Sequence, residues 1–447
     1  MQKYICGEIL LRRDVCAMYE NRARRQAFLL LHQIISEQQY SNLSLKYGLD
    51  GYDTRDRAFI TVLVYGTLDK LIHLDYVLSL YARGRLQPKI RTLLRMSAYQ
   101  ILYMDRVPDS AAVNSAVSLA EEIGKGMLKG YINGVLRTVS REKTKIPYPK
   151  ETAERISVQY SYPAFLVREM IQEHGEAWTE QMCAFEGDHS TCLRVNTEKI
   201  SVAEIKERLS CPYRDGKYFD DCLYIQGEPP FLEEGLCSVQ GEASMAVVRA
   251  LDPRRGEKIL DCCAAPGGKT VYIAQRMQEG SITALDKHEH RVRLIQSNAQ
   301  RCGFADRITA CTADMLEEQN GCYDRVLADV PCSGLGVIGQ KPEIKNTVTA
   351  DQLAGLRDVQ LKILENAARC VKPGGILVYS TCTVRRAENQ EIIECFLERH
   401  PDFMPDSLKG YLGERLERGR HAEQGFLQLY PARDGIDGFF MARMKRI

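Results

Sequence analysis

Apolar residues recur at helical spacing through the first third of the chain. Ala27, Phe28, Leu31, Ile34 and Ile35 form one set, Phe59, Val62 and Leu63 a second, and Leu93, Leu94, Ala98, Tyr99, Ile101 and Leu102 a third. Steps of three and four put each set on one helix face, so an all-α bundle is expected over 21–145. Short polar residues that can accept the first free N–H groups mark helix starts at Asp53 or Thr54 and at Pro108-Asp109-Ser110. The charged stretch Lys143 to Lys150, with Pro147 and Pro149, reads as a linker. Beyond it the pattern is mixed. Pro163 suits a first helical turn, Cys192 to Val195 alternates as a strand does, Ser201-Val202-Ala203-Glu204 has capping-box spacing, and Cys222 to Ile225 reads as another strand. These elements predict a small α+β module over 150–235.

From about Val239 the pattern becomes strand, glycine-bearing loop, helix, and repeats. The strands read as Lys258 to Asp261, Ser281 to Asp286, Arg307 to Ala310, Arg325 to Asp329 and Ile376 to Ser380. Parallel strands joined by helices form a doubly wound sheet that binds ligands at the carboxyl ends of its strands. The fold class is therefore multidomain: a helical bundle, the α+β module, and an α/β Rossmann-like domain over 236–447.

At 447 residues the chain exceeds what one core usually organises, which agrees with several domains. A formal net charge of +1 names no partner, but its distribution does. Residues 21–145 hold 19 Lys/Arg against 11 Asp/Glu, a local +8 that leaves −7 elsewhere. A nucleic-acid-facing part is expected there, with Arg22, Arg24, Arg25, Arg83, Arg85, Lys89, Arg91 and Arg95 as phosphate contacts. Sixteen cysteines without a C-x-x-C pair read as reduced thiols of a cytosolic protein, with no metal site and no disulfide framework. The short apolar run Ile9-Leu10-Leu11 is no export signal, Met18 offers an alternative start, and no membrane span is expected.

The segment Ile259 to Thr270 runs from a strand through the small residues Cys263, Ala264, Ala265, Pro266, Gly267 and Gly268 into a helix that opens with Lys269. Such a turn allows close approach of a ligand to backbone, and helix N–H groups receive a polar group. It is neither G-x-G-x-x-G nor a P-loop. Asp286, 25 residues past Asp261, ends the next strand where a carboxylate binds ribose hydroxyls, and Asp314 follows the third strand, placed for an adenine amine. A nucleoside cofactor without a pyrophosphate cradle points to S-adenosylmethionine.

Asp329-Val330-Pro331-Cys332 and Tyr379-Ser380-Thr381-Cys382 end two further strands. Carbon 5 of cytosine is not nucleophilic until a thiolate adds to carbon 6, so methylation there needs one thiolate and an acid/base group. The base must also leave its stack. Most cysteines are packed hydrophobes, but these two follow strand ends among small polar residues, and Asp329 beside them can hydrogen-bond the cytosine. Which of the two attacks is left open by the residues alone.

The strings DCCAAPGGKT, ALD at Asp286, ADM at 313–315, DVPCSGLGVIG at 329–339 and YSTCTV at 379–384 resemble the RNA (cytosine-5)-methyltransferases of the Nop2/Sun group. RTLLRMSAYQILYMDRVPDSAAVN at 91–114 and LKGYINGVLR at 128–137 resemble the NusB-like RNA-binding domain fused to one bacterial branch of that family. The resemblance spans about 21–447. It implies that Cys382 is the nucleophile, that Cys332 assists product release, and that Cys263 to Lys269, Asp286, Asp314 and Asp329 contact S-adenosylmethionine or its surroundings. It also implies action on 16S ribosomal RNA, naked or partly assembled, at cytosine 967, and the chain is expected to be a monomer. Arg194 and Asn196 lie in the part that resembles the family's RNA-binding extension. Gly241 stands where an aspartate is usual, Cys262 replaces an alanine, and Gly339-Gln340 stands where paired arginines are common, which weakens expected RNA contacts. The alternatives are the same chemistry on another ribosomal or transfer RNA, a DNA methyltransferase, or a non-catalytic RNA-binding assembly factor.

Overall fold

The computed structural model describes residues 22–37, 44–45, 48–188, 190–317, 320–417 and 421–447. Ile9 to Leu11 and Met18 lie outside the described residues. The described residues form two compact units, one within 1–184 together with 341–347, the other within 185–340 together with 348–447.

The first unit is helical. The helix Pro88–Tyr103 touches the helices Thr54–Asp69, Leu71–Tyr81, Asp109–Glu122 and Lys129–Glu142, and buries Ile90, Leu93, Leu94, Met96, Ala98 and Ile101. Being covered on several sides, it is apolar around more of its girth than a surface helix. Asp53 caps the first of these helices by accepting from Asp56 N at 2.8 Å. The second expected cap differs: Asp109 is already inside its helix, and its carboxylate accepts from Ser140 Oγ at 2.6 Å and Lys143 Nζ. Segment 143–150 lies along the bundle, where Tyr76 donates to the Pro147 carbonyl and Tyr148 stacks on His73. Three more helices, Thr152–Tyr160, Ala164–His174 and Glu176–Ala184, complete the unit, and buried Ser161 accepts from Ile72 N at 2.9 Å. Residues 341–347 belong here as well. Lys345 is buried, pairs with Asp69 at 2.5 Å and lies over the Tyr162 ring, so this segment is anchored inside the helical unit instead of facing solvent. Among the described residues no helix is long and apolar enough to cross a membrane.

The second unit holds two sheets. The smaller comprises β1 (Thr191–Val195), β2 (Tyr213–Asp215), β3 (Cys222–Ile225) and β4 (Cys237–Val239), antiparallel in the order β2-β3-β1-β4. Ser201 and Glu204 form a true capping box at the helix Val202–Arg208, which packs on this sheet through Ile205. The larger contains β5 (Glu257–Asp261), β6 (Gly280–Asp286), β7 (Ile308–Thr312), β8 (Tyr323–Asp329), β9 (Val371–Thr381), β10 (Phe403–Pro405), β11 (Phe426–Gln428) and β12 (Phe440–Arg446). Its order is β10-β12-β9-β8-β5-β6-β7, with β11 also on β12. The β5 to β9 strands pair in parallel, as the repeat predicts, whereas β12 runs antiparallel to β9 and extends the sheet beyond it.

Alternation sends successive side chains to opposite faces, and both faces are covered. Ile259, Leu327 and Val378 join the helices Glu242–Leu251, Gly268–Met277 and Glu289–Cys302, while Leu260, Val326, Ala328, Leu377 and Tyr379 join Ala350–Arg369 and Gln390–Arg399. The chain reverses direction of growth at β5, between β6 and β8, which opens a crevice at their carboxyl ends.

Glu242 fastens the small sheet to this core. Fully buried, it accepts from Lys217 N, Tyr218 N and Phe219 N at 3.0, 2.6 and 2.9 Å and from Tyr224 OH at 2.9 Å. Glu242→Leu leaves four donors without their acceptor, two of them, Phe219 N and Tyr224 OH, buried, so a loss of about 2–3 kcal/mol is expected, measured as a lowered urea midpoint for this unit.

Candidate active site

The crevice is built from the ends of β5, β6, β8 and β9. The turn after β5 is pinned to its neighbours, with Cys262 N donating to Leu327 O at 2.9 Å and Ala264 N to Leu285 O at 2.8 Å. Arg291 and Asn298, from the helix Glu289–Cys302, hold the Ala265 and Pro266 carbonyls at 3.2 and 2.8 Å. Gly267 adopts φ 103°, and a Cβ there would lie 3.2 Å from Ile295 Cα, so the turn packs closely on that helix. Gly268 differs: a Cβ there would meet nothing within 4 Å, leaving open space at the helix start beside Lys269.

Asp261 ends β5 and is buried. Its Oδ2 accepts from Thr270 Oγ1 at 2.7 Å, but Oδ1 is buried with no donor. Burial, opposed by the Thr270 hydroxyl and reinforced by the Asp329 charge, raises its pKa to about 7. A buried carboxylate acceptor at the strand end and, separately, open space at the helix start at Gly268 are compatible with the polar end of the nucleoside cofactor. Asp286 is buried at the end of β6, accepting from His288 N at 3.0 Å and pairing with Arg291 at 3.2 Å. Asp314 stands in the turn after β7, where it accepts from Leu316 N at 2.9 Å. Cys263 is pushed up by burial and by the charges of Asp261, Asp329 and Asp286, which keeps it a neutral thiol.

The two loops at β8 and β9 converge. Asp329 pairs in register with Ser380, whose Oγ donates to Asp329 Oδ1 at 2.6 Å, and Lys269 Nζ reaches Oδ2 at 2.7 Å. Lys269 also lies over the Phe439 ring at 5.2 Å. Burial works against its charge, but the Asp329 carboxylate and then the Cys382 sulfur outweigh that and raise its pKa. The Lys269 ammonium therefore lies near the Cys382 sulfur. Cys332 and Cys382 Sγ atoms lie 3.2 Å apart, both half-buried, and Cys382 N donates to Cys332 Sγ at 3.3 Å. The hydrogen bond to Cys382, burial and the Cys382 and Glu388 charges push the Cys332 thiol well up, which favours its protonated form, and either sulfur can donate in the contact between them. A bond from Gly336 N to Cys382 O at 2.9 Å closes the Cys332 loop over β9. Gly336 is needed there, because a Cβ would fall 1.9 Å from Gly438 O.

Some expected roles change. Arg194 is fully buried, stacked on Tyr272 and bonded to Gln275 at 2.9 Å, and Asn196 is buried on the Gly235 and Cys302 carbonyls. Both hold the small sheet to the core and are buried away from solvent. Arg24 and Arg95 are buried on Gln100 and Asp75, while Arg22, Arg25, Arg83, Arg85, Lys89 and Arg91 remain exposed. At Gly241 a Cβ would lie 2.9 Å from Asp437 Oδ2, so a carboxylate from the loop before β12 occupies the neighbourhood where the aspartate is missing. Asp261 is the site group that sequence reasoning passed over as a landmark. The signal was Thr270, nine residues on, which is its partner.

A doubly wound sheet with a carboxylate-lined nucleoside crevice and two thiols at its lip defines an S-adenosylmethionine-dependent methyltransferase. Residues 248–445 match the model of the 16S rRNA methyltransferase RsmB/F family, and residues 21–141 that of the NusB family. A probable ribosomal RNA small subunit methyltransferase B of Bacillus subtilis is 38% identical, over 96% of this chain and 100% of its own. One from Synechocystis is 33% identical over 95% and 99%. A solved structure, PH0851, superposes with a TM-score of 0.82 at 25% identity, covering 95% of this chain and 99% of that one. This chain belongs to the 16S rRNA methyltransferase RsmB/F family.

The folded-state pKa of Asp261 lies above its usual value of 3.8, so the native protein keeps a proton that the unfolded chain releases, and the associated stability falls as pH rises from about 4 through 7. Without cofactor, the wild type should lose about 2 kcal/mol more than Asp261→Asn between pH 5 and 8, read from urea unfolding.

Proposed function

We propose that this protein transfers a methyl group to carbon 5 of a cytosine in 16S ribosomal RNA, cytosine 967, through a covalent bond between Cys382 and carbon 6 of the base. The observation that carries this reading is the 3.2 Å approach of Cys332 and Cys382 beside the Lys269–Asp329 pair. A single thiolate suffices to activate the ring. A second thiol in contact with it has a use when the first must leave.

S-adenosylmethionine supplies, when bound, a methyl group on a sulfonium that departs as a neutral thioether. Asp261, Asp286 and Asp314 would hold it together with the Cys263 to Lys269 turn. The cytosine enters the crevice out of its stack, since both ring faces are used. Asp329, oriented by Lys269 and Ser380, keeps lone pairs free to accept from the cytosine amine or from a protonated ring nitrogen. The Cys382 thiolate forms a bond to carbon 6, and the ring electron pair moves to carbon 5, which takes the methyl carbon. Loss of the carbon 5 proton to a base restores the carbon 5–carbon 6 double bond and expels Cys382. The Cys332 S–H hydrogen-bonds the departing sulfur and stabilises it as a thiolate.

Arg22, Arg25, Arg83, Arg85, Lys89 and Arg91 on the helical unit are assigned to RNA phosphates, which position the substrate without reading its sequence. The RNA would be bound in the cytosol before ribosome assembly closes around the target loop. The test uses two variants incubated with 16S RNA and S-adenosylmethionine. Cys382→Ala should form no protein–RNA adduct and lose activity by at least about 10³-fold. Cys332→Ala should accumulate an adduct that survives a denaturing gel. Residual full activity in Cys382→Ala would sink the reading.

A further inference from the structure

Cys332 lies three residues past β8 and Cys382 one residue past β9, so neither is fixed by strand pairing alone. Two adjacent residues hold their flanks. Glu388 is buried at 1% exposure in the turn Arg386–Glu388. Its Oε2 accepts from Ser333 N at 2.8 Å and from Gln360 Nε2 at 3.0 Å, and the same Gln360 amide reaches the Pro331 carbonyl at 3.0 Å. Both neighbours of Cys332 are therefore tied to one carboxylate–amide pair. Arg385 occupies Oε1 at 3.1 Å, and Tyr379 OH fixes the Glu388 backbone at 2.6 Å.

Asn389 does the same for Cys382. Fully buried, it accepts from Thr381 Oγ1 at 2.6 Å and donates to the Thr383 carbonyl at 3.1 Å and to Gln428 Oε1 at 2.7 Å. An Asn at this position would ordinarily cap the helix Gln390–Arg399, yet its side chain makes no capping bond. It is directed across the fold to the cysteine loop instead. Ser333 Oγ and Thr383 Oγ1, 2.7 Å apart, join the two loops directly.

We propose that Glu388 and Asn389 are positioning residues with separate tasks: Glu388 holds Cys332 for product release, and Asn389 holds Cys382 for attack. This rests on the division of labour between the two thiols set out above. The Glu388 charge also contributes, after the hydrogen bond to Cys382 and burial, to keeping Cys332 protonated for donation to the leaving sulfur.

Each task has its own readout with transcribed 16S RNA and S-adenosylmethionine. The first is the rate of adduct formation measured in a Cys332→Ala background. The second is the adduct remaining in an otherwise native active site once product has formed. Glu388→Gln should leave adduct formation within about threefold of its control while raising the residual adduct about tenfold or more. Asn389→Ala should slow adduct formation about 10²-fold and accumulate none, as expected when a reacting group is displaced by about an ångström. Calorimetric binding of S-adenosylmethionine checks folding. Gln360→Leu and Thr381→Val reach the same contacts from their other ends, and they decide the matter if either primary variant fails to fold. If Cys382→Ala still forms adduct, the underlying mechanism is wrong and this assignment falls with it. If the cysteine variants behave as expected but the two clamp variants depress formation and release in equal proportion, the pair is scaffolding and the proposal is overturned.

Discussion

The parallel pairing of β8 with β9 is the constraint on which the site depends. With Asp329 opposite Ser380, the two chains leave the sheet side by side, and the loops that follow bring two thiols to 3.2 Å. A register slip would turn each strand's core-facing residues to the other face, and these strands are buried on both, so the pairing is strongly specified. The hydrophobic core thus sets the spacing of the reacting atoms. The loops need only small corrections, which short hydrogen bonds can supply.

Electrostatics in the crevice follow from the same burial. A buried charge persists only when paired, and the Lys269–Asp329 pair satisfies that while giving the site one ammonium near a sulfur and one oriented acceptor. Where no counter-charge sits beside a buried group its neutral form is favoured, as burial raises the pKa of Asp261 and Cys263, and the hydrogen bond to Cys382 together with burial raises that of Cys332.

The strand ends were legible because carboxylates and thiols interrupt apolar runs at the carboxyl termini of a repeated strand–helix pattern. Asp261, Asp286, Asp329 and Thr381 all end strands in the structure. The capping box at Ser201 was equally plain, being a local signal. What escaped were non-local partners. Arg24, Arg95 and Arg194 look like solvent-facing cations in sequence, but their acceptors Gln100, Asp75 and Gln275 lie 20 to 81 residues away. Glu388 and Asn389 carry no local signal, since nothing nearby in the chain shows that their side chains turn toward the cysteine loops. The strands β10 to β12, which extend the sheet antiparallel beyond β9, lack the glycine loop and helix that made the earlier repeat recognisable.

The account stands on Cys382 being the sulfur that joins the base. Replacing the target cytidine by 5-fluorocytidine removes the proton whose loss releases the enzyme, so the adduct persists in the native protein. Digestion of that adduct and mass spectrometry of the nucleotide-bearing peptide identify the attached residue. The modified peptide is expected to contain Cys382 with Cys332 free, whereas a nucleotide on Cys332 would contradict the mechanism.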